Sequence, residues 1–460
     1  MQRLYAIIWL TWKAAFRFRL IWVISVLLLA SVVLLPLIIK HDGTARGFTQ
    51  ILLTYTLSSV TALLGMATLW LACGTLSRDI EECQMQLIAV KPIPRWQIWI
   101  GKWLGLVSLN ALLLALSGAC IYGLLMYRSS HLSPKEQEIL KNEVLVARSS
   151  LKEPPPDIKP DVDRILESKL KTMSLTPDEI KDLRKQIEQQ VLAVHQIVPK
   201  DYRREWVFDA SRALKTAKSG RPIYMRIKFY TAQPDIPTTY LCIWRIGSDK
   251  SPRIIEFEQR LAGETFHEIP IPADVIGSDG KLVINFINRN PVALLFPIDQ
   301  GMEILYYEGG FTLNFIRGLL IILFWLALLA AMGLAASSFL SFPVAAFATM
   351  SIMILFFSSG IFRSAIEEQT VMGVDHETGK PNYPLIDSIM LPVFKVVFKI
   401  MNLAQAFSPV DNLSSGRTIS WTDIGIAFGQ VVVILGGIFA LIGIITFTRR
   451  ELAAVQTTGG

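Results

Sequence analysis

Stretches without Asp, Glu, Lys or Arg divide the chain into pieces of membrane length. A helix crossing a hydrocarbon core of about 30 Å needs about 20 consecutive apolar residues. Five stretches meet that test: 20–39, 47–77, 103–127, 318–362 and 424–448. The fourth is 45 residues long, enough for two crossings, and it is interrupted by Ser337, Ser338, Ser341 and Pro343. Small polar residues with a proline suit a tight turn. The pattern therefore predicts six transmembrane helices. The first apolar run begins after 19 residues and ends in Leu-Pro-Leu-Ile-Ile-Lys, without the small residues of a cleavage site, so it reads as a retained span.

An even number of crossings puts both termini on one side. Arg3, Lys13, Arg17 and Arg19, then Arg78, Lys91, Arg95 and Lys102 in the loop 78–102, then Arg449 and Arg450 give that side ten basic residues; the opposite short loops, 40–46 and 363–423, carry seven. This bias places both termini in the cytoplasm. The segment 4–19 mixes Ile7, Ile8, Leu10, Trp12, Phe16 and Phe18 with basic residues. Such a composition suits a helix lying among lipid headgroups; the alternative is a ragged extension of the first span. In 363–423, Ile386, Ile389, Met390, Val393, Phe394, Val397, Phe398 and Met401 recur at helical spacing, with Lys395 and Lys399 on another face. They predict an amphipathic helix at the outer leaflet, kinked at Pro392.

Between the third and fourth spans lies a hydrophilic insert, 128–314, which this topology puts outside the cytoplasm. Its first part, 128–200, is helical in pattern: after Pro154, Pro155 and Pro156 come Ile180, Leu183, Ile187, Val191 and Val194, spaced by three and four. Thr176 as N-cap, Pro177 at the first position and Glu179 three residues after the cap make a capping-box start. A helical hairpin or short coiled coil follows from this. In 201–314 the period changes, with β-rich runs at 223–230, 239–246, 253–257 and 281–287 and a turn at Gly277 to Gly280. That rhythm predicts an antiparallel β-sandwich, a jelly roll being one form of it. It ends at Tyr307, Gly309 and Gly310, almost directly against the fourth span. The expected fold is thus a mainly α-helical polytopic membrane protein with an inserted extracytoplasmic α+β domain. Its parts are 1–127, 128–314 and 315–460.

Composition agrees with a membrane protein. Of 460 residues, 52% are hydrophobic and 18% charged, and the mean hydropathy is +0.43; a soluble domain carries about a quarter charged residues. The net charge of +7 is modest for this length and belongs to the flanks of the spans, so no nucleic-acid partner is expected. Cys73, Cys83, Cys120 and Cys242 form no disulfide framework or zinc pattern, and the five histidines are scattered. No glycine-rich phosphate cradle precedes a Gly-Lys pair. The apolar runs hold no carboxylate that could couple transport to an ion gradient. Their polar residues are hydroxyls such as Thr54, Thr56, Ser58, Ser59 and Thr61, with Asn110 and Gln430. With no nucleophile–base pair visible, no enzyme activity is expected of this chain.

The most informative stretch is the cytoplasmic loop 78–102. It has an acidic start at Glu81 and Glu82, an apolar turn at Met85, Leu87, Ile88 and Val90, a corner at Pro92 and Pro94, and an aromatic, basic return to the bilayer. This loop resembles the coupling region of ATP-binding cassette (ABC) transporter permeases of the type-2 exporter family. There an acidic start, a Leu-rich short helix, a proline, Arg-Trp and Gly-Lys connect the second and third spans. Glu81, Glu82, Leu87, Ile88, Pro92, Arg95, Trp96, Gly101 and Lys102 occupy those places, with Cys83-Gln84 where the family commonly has Gly-Thr. The interfacial segment, the turn between the fourth and fifth spans, the outer amphipathic segment and the Arg449-Arg450-Glu451 tail extend the resemblance over 1–127 and 315–455.

The resemblance implies a permease without catalytic residues or a cofactor of its own. It would sit in a bacterial inner membrane, pair with a second copy or a homologous permease, and dock two cytoplasmic ATPase subunits that bind ATP and Mg. Glu81, Glu82, Leu87, Ile88, Pro92, Arg95, Trp96 and Lys102 would carry the coupling, and the cargo would be amphipathic or polymeric. A rival expectation is a force-transmitting membrane protein whose outer domain binds the cell wall or an envelope partner.

Overall fold

The computed structural model describes residues 2–17, 20–38, 44–82, 93–171, 177–217, 221, 223–231, 239–298, 300–357, 359–367, 370–371, 373, 384–405 and 407–450. They form two compact units: Met1–Leu145 with Gly310–Gly460, and Val146–Gly309. The first unit contains α1 (Gln2–Arg17), α2 (Leu20–Ile38), α3 (Ala45–Glu81), α4 (Arg95–Ser130) and α5 (Pro134–Ile139). After α6 (Lys159–Leu170), α7 (Pro177–Gln196) and α8 (Ser211–Ala217) of the second unit, the first resumes with α9 (Phe311–Ser337), α10 (Phe342–Phe357), α11 (Ser359–Glu367), α12 (Pro384–Gln405) and α13 (Pro409–Ser414). It closes with α14 (Trp421–Ala427) and α15 (Gly437–Arg449), joined by a π-helical stretch, Phe428–Gly436.

Among the described residues, four helices are long and apolar enough to cross a membrane: Gly47–Glu81, Arg95–Ser130, Phe311–Ser337 and Trp421–Arg449. They match the expected second, third, fourth and sixth spans. The other two take a different form. The apolar helix α2 has 19 residues and is bent by 73° from α1, the two together making a fifth candidate. The helix α10 has only 16 residues; it gives way to α11 at Ser359 and Gly360, both weaker helix formers than alanine. Six spans therefore do not follow from helix length. The turn at Ser338 to Ser341 lies where the sequence puts it, with Pro343 in the first turn of α10.

Within this unit α9 is the innermost helix: 67% of its apolar window is buried, against 28% for the last span. Helices in lipid gain little from burying apolar surface against one another, so close packing of small residues decides where they meet. A Cβ at Gly333 of α9 would lie 2.6 Å from the Ala72 Cβ of α3, and one at Gly118 of α4 would lie 2.6 Å from Leu319 Cδ1. The same device seats α1. Gly101 and Gly105, four apart on α4, face Ile7 and Thr11, four apart on α1, and an added Cβ at either glycine would come within 2.7 Å of its partner. One turn further on, Trp12 Nε1 donates to Ser108 Oγ at 2.9 Å. Ile7, Thr11 and Ala15 are buried in this seam while Tyr5, Trp9 and Leu10 stay exposed, so the N-terminal segment is a separate amphipathic helix.

Among its described residues the second unit has two four-stranded sheets. One is ordered β1 (Val146–Lys152), β11 (Met302–Gly310), β4 (Ile223–Ile227), β8 (His267–Ile271); the other is β3 (Arg203–Asp209), β9 (Lys281–Asn288), β6 (Thr239–Ile246), β7 (Ile255–Ala262). Both contribute to one core, with Met225, Ile227 and Ile304 from the first and Trp206, Trp244, Ile284 and Phe286 from the second. A third, short sheet pairs β10 (Leu294–Leu295) with β2 (Ile197–Val198) and β5 (Tyr230–Thr231). The helices α6 and α7 join through Val162, Leu166, Ile187 and Val191, whereas Val194 at the end of the expected stripe is exposed. Thr176, the expected N-cap, lies outside the described residues.

The unit boundaries differ from 128 and 314. Leu140 and Val144 are buried with Leu125 and Phe311 in the core of the first unit, so the second unit begins only at Val146. Its first strand, β1, falls in the part expected to be helical, because its partner β11 lies far along the chain.

Two tests follow. Gly105→Ala forces Thr11 away and should lower the unfolding free energy of the detergent-purified protein by about 1–3 kcal/mol. Gly123→Ala on the same helix, where nothing lies within 4 Å, should not destabilise it. In the second unit, burial in the core pushes the Cys242 thiol up to about 12. At pH 8 only about one thiol in ten thousand is then ionised, so maleimide should label Cys242, read by peptide mass spectrometry, only after unfolding.

Candidate functional site

The flanks of the loop 78–102 meet at one end of the helical unit. Residues 83–92, with Leu87, Ile88 and Pro92, lie outside the described residues. Glu81, Glu82, Arg95, Trp96 and Lys102 are described, and they divide by where they point.

Lys102, on the second turn of α4, is only 6% exposed. Its Nζ is 2.5 Å from Asp79 Oδ2 and donates to the Thr75 carbonyl at 3.0 Å, both on the last turns of α3. A buried ammonium is tolerated only when paired and hydrogen-bonded, so this contact fixes α3 against α4 at the base of the loop. Arg95, the first residue of α4, reaches another helix end. Its Nη1 donates to the carbonyls of Phe447 at 3.1 Å, Thr448 at 2.8 Å and Arg450 at 2.8 Å. The last carbonyls of a helix have no partner within it and carry its negative dipole end, so a guanidinium there satisfies both needs. Arg450 in turn donates from Nη1 to the Ser338 carbonyl just beyond α9 at 3.1 Å.

Glu81 turns toward α10. Its Oε1 accepts the Phe342 N–H at 3.3 Å, a carboxylate at a helix N-terminus. The Phe342 ring carries the Arg78 guanidinium 4.6 Å from its centroid and meets Trp70 edge-on at 5.0 Å. Between these contacts Trp99 is buried against Gly443, where a Cβ would come 2.6 Å from its Nε1. The ends of α3, α4, α9, α10 and α15 are thus joined through the two stems of one loop. Trp96 is 48% exposed and Glu82 lies at the surface; these two face outward.

Thr75, Arg78, Asp79, Phe342 and Arg450 were not among the expected coupling residues. The signal available for Asp79 was an acid just past one apolar run facing a lysine just before the next. Within the spans, the hydroxyls of Thr56 and Thr61 return to the carbonyls of Leu52 and Leu57, both at 2.7 Å, and Thr68 donates to Asn110 Oδ1 at 3.1 Å. These bonds serve helix packing. Among the described residues no group of His, Cys, Asp and Glu is arranged to hold a metal. The contacts tie the two stems of the loop, on α3 and α4, to the ends of α10 and α15, and Arg450 extends them to the end of α9. Compared with known proteins, the chain matches no family model, no curated protein and no solved structure.

Lys102→Met leaves Asp79 without its cation and should cost about 3–5 kcal/mol, read by denaturant unfolding in detergent. Adding Asp79→Leu should restore most of that loss, whereas two independent sites would give additive losses.

Proposed function

We propose that the chain is the membrane-spanning permease subunit of an ATP-driven complex, with the organisation of a type-2 ABC exporter. In this reading α2 and α10 complete six crossings, both termini are cytoplasmic, and the membrane is a bacterial inner membrane. A second copy or a homologous permease faces the first, and two separate ATPase subunits bind ATP and Mg and dock on residues 83–92. Catalysis belongs to those subunits. The cargo is amphipathic or polymeric. The observation that supports the reading best is the anchoring of the loop: Arg95, Lys102, Glu81 and Arg78 bind its stems, on α3 and α4, to the ends of α10 and α15, and Arg450 carries the link to α9, as a part that receives force requires. Movement at Leu87 and Ile88 would then tilt α3 and α4 together, a rigid-body transition between two packings.

A second reading has one observation in its favour. The strand β11 ends at Gly310 and α9 starts at Phe311, so no linker in the sequence separates the outer unit from a membrane-length helix. A protein that moves an outer domain bound to the cell wall or an envelope partner needs such continuity.

Purification of the tagged chain from its own membranes should bring down a cytoplasmic ATPase. Leu87→Glu should lower ATP hydrolysis by the complex at least tenfold while the chain still inserts. A complex free of any nucleotide hydrolase, or labelling of an Ile88→Cys variant by an impermeant maleimide from the outer side, would remove the proposal. Deletion of 146–309 separates the two readings: cargo movement into vesicles survives it in the first and not in the second.

A further inference from the structure

The last span departs from α geometry at a polar residue. Gln430 lies in the π-helical stretch Phe428–Gly436, and such segments concentrate at functional sites. Gln430 is the one carboxamide of this span, and it lines an open cavity of about 370 Å³ formed with α12 and Ile366 of α11. That volume is in the range of small-ligand sites. The wall contributed by α12 carries two ammoniums, Lys395 and Lys399, the Asn402 carboxamide, and the apolar Phe398 and Leu403.

Three features of this lining specify a ligand. Lys395 and Lys399 are four apart on one helix, a spacing at which like charges repel and destabilise. Neither has an ion-pair partner among the described residues, so no described side chain offsets the repulsion. The two carboxamides add donors that can rotate toward the same centre. Ile366, Phe398 and Leu403 give the rest of the wall an apolar surface, and Ile389, Val393, Val396 and Ile400 along α12 are exposed. Cations and amide donors on one side with hydrocarbon on the other match an anionic headgroup that carries an acyl chain.

We propose that this cavity is a binding site for a phosphate-bearing anionic lipid. The phosphate oxygens accept from Lys395, Lys399 and the Asn402 and Gln430 amides, and the chain lies along Ile366, Phe398 and Leu403. The occupied site removes the Lys395–Lys399 repulsion and joins α12 to the last span through the ligand.

The site involves no nucleotide and no ATPase, so it is tested on the purified full-length chain alone and its outcome is separate from that of the permease reading. Labelled short-chain phosphatidylglycerol and phosphatidylcholine are titrated in nonionic detergent, with millimolar inorganic phosphate as competitor. Wild type should bind phosphatidylglycerol at least tenfold more tightly than phosphatidylcholine and resist displacement by phosphate. Lys395→Gln with Lys399→Gln should weaken phosphatidylglycerol about 25-fold, about fivefold for each lysine, and leave phosphatidylcholine unchanged. Lys395→Arg with Lys399→Arg should retain binding, and Gln430→Leu should weaken it by a smaller factor. Equal binding of the two lipids by wild type, displacement by phosphate alone, or full affinity in a stably folded double glutamine variant would overturn the proposal. The wild-type comparison uses no substitution, so a variant that fails to fold does not remove the test.

Discussion

Hydrocarbon offers backbone groups no water and gives helices no hydrophobic reason to associate. The helical unit is organised by that constraint. Its long helices satisfy their own backbones and meet where a side chain is missing: Gly333 against Ala72, Gly101 and Gly105 against Ile7 and Thr11, Gly443 against Trp99. Where helices end, the unsatisfied groups are met by side chains from other helices, with Arg95 on the carbonyls of α15, Arg450 on that of Ser338 and Glu81 on the N–H of Phe342. Contacts of the first kind set which helices are neighbours. Contacts of the second kind gather five helix ends around one loop.

The sequence discloses much of this because span length is a one-dimensional property. Four apolar runs become helices of membrane length among the described residues, and the serines before α10 lie in a turn. Local pattern fails where a residue's role depends on a distant partner. Gly101 reads as part of a Gly-Lys motif, and its service as a seat for α1 appears only once Ile7 is opposite it. Lys102 reads as a flanking cation at the bilayer edge; its burial depends on Asp79. The strand β1 is hidden for the same reason. Its Arg148 is buried, which a local pattern would count against a core strand, and it is tolerated because Glu268, 120 residues away, meets its Nη1 at 2.9 Å.

The second unit follows different physics, since its sheets can bury their apolar faces against each other in one core. Its centre is aromatic: Trp206, Trp244, Phe286 and Phe296 lie with ring centroids 4.8 to 6.3 Å apart. Trp206 and Trp244 are both buried in this core. The chain arrives through β1 and leaves through β11, adjacent strands of the same sheet. A domain whose first and last strands are neighbours can be carried between two helices without interrupting their packing.

The π-helical stretch gives the last span one more property. A helix that bonds five residues apart in place of four holds surplus chain for its length. Shedding one residue of that surplus would turn everything beyond it by about 100°, the angle between successive residues of an α-helix. The end that would swivel is the one gripped by Arg95, so any such change of register would be felt first at the carbonyls of Phe447 and Thr448.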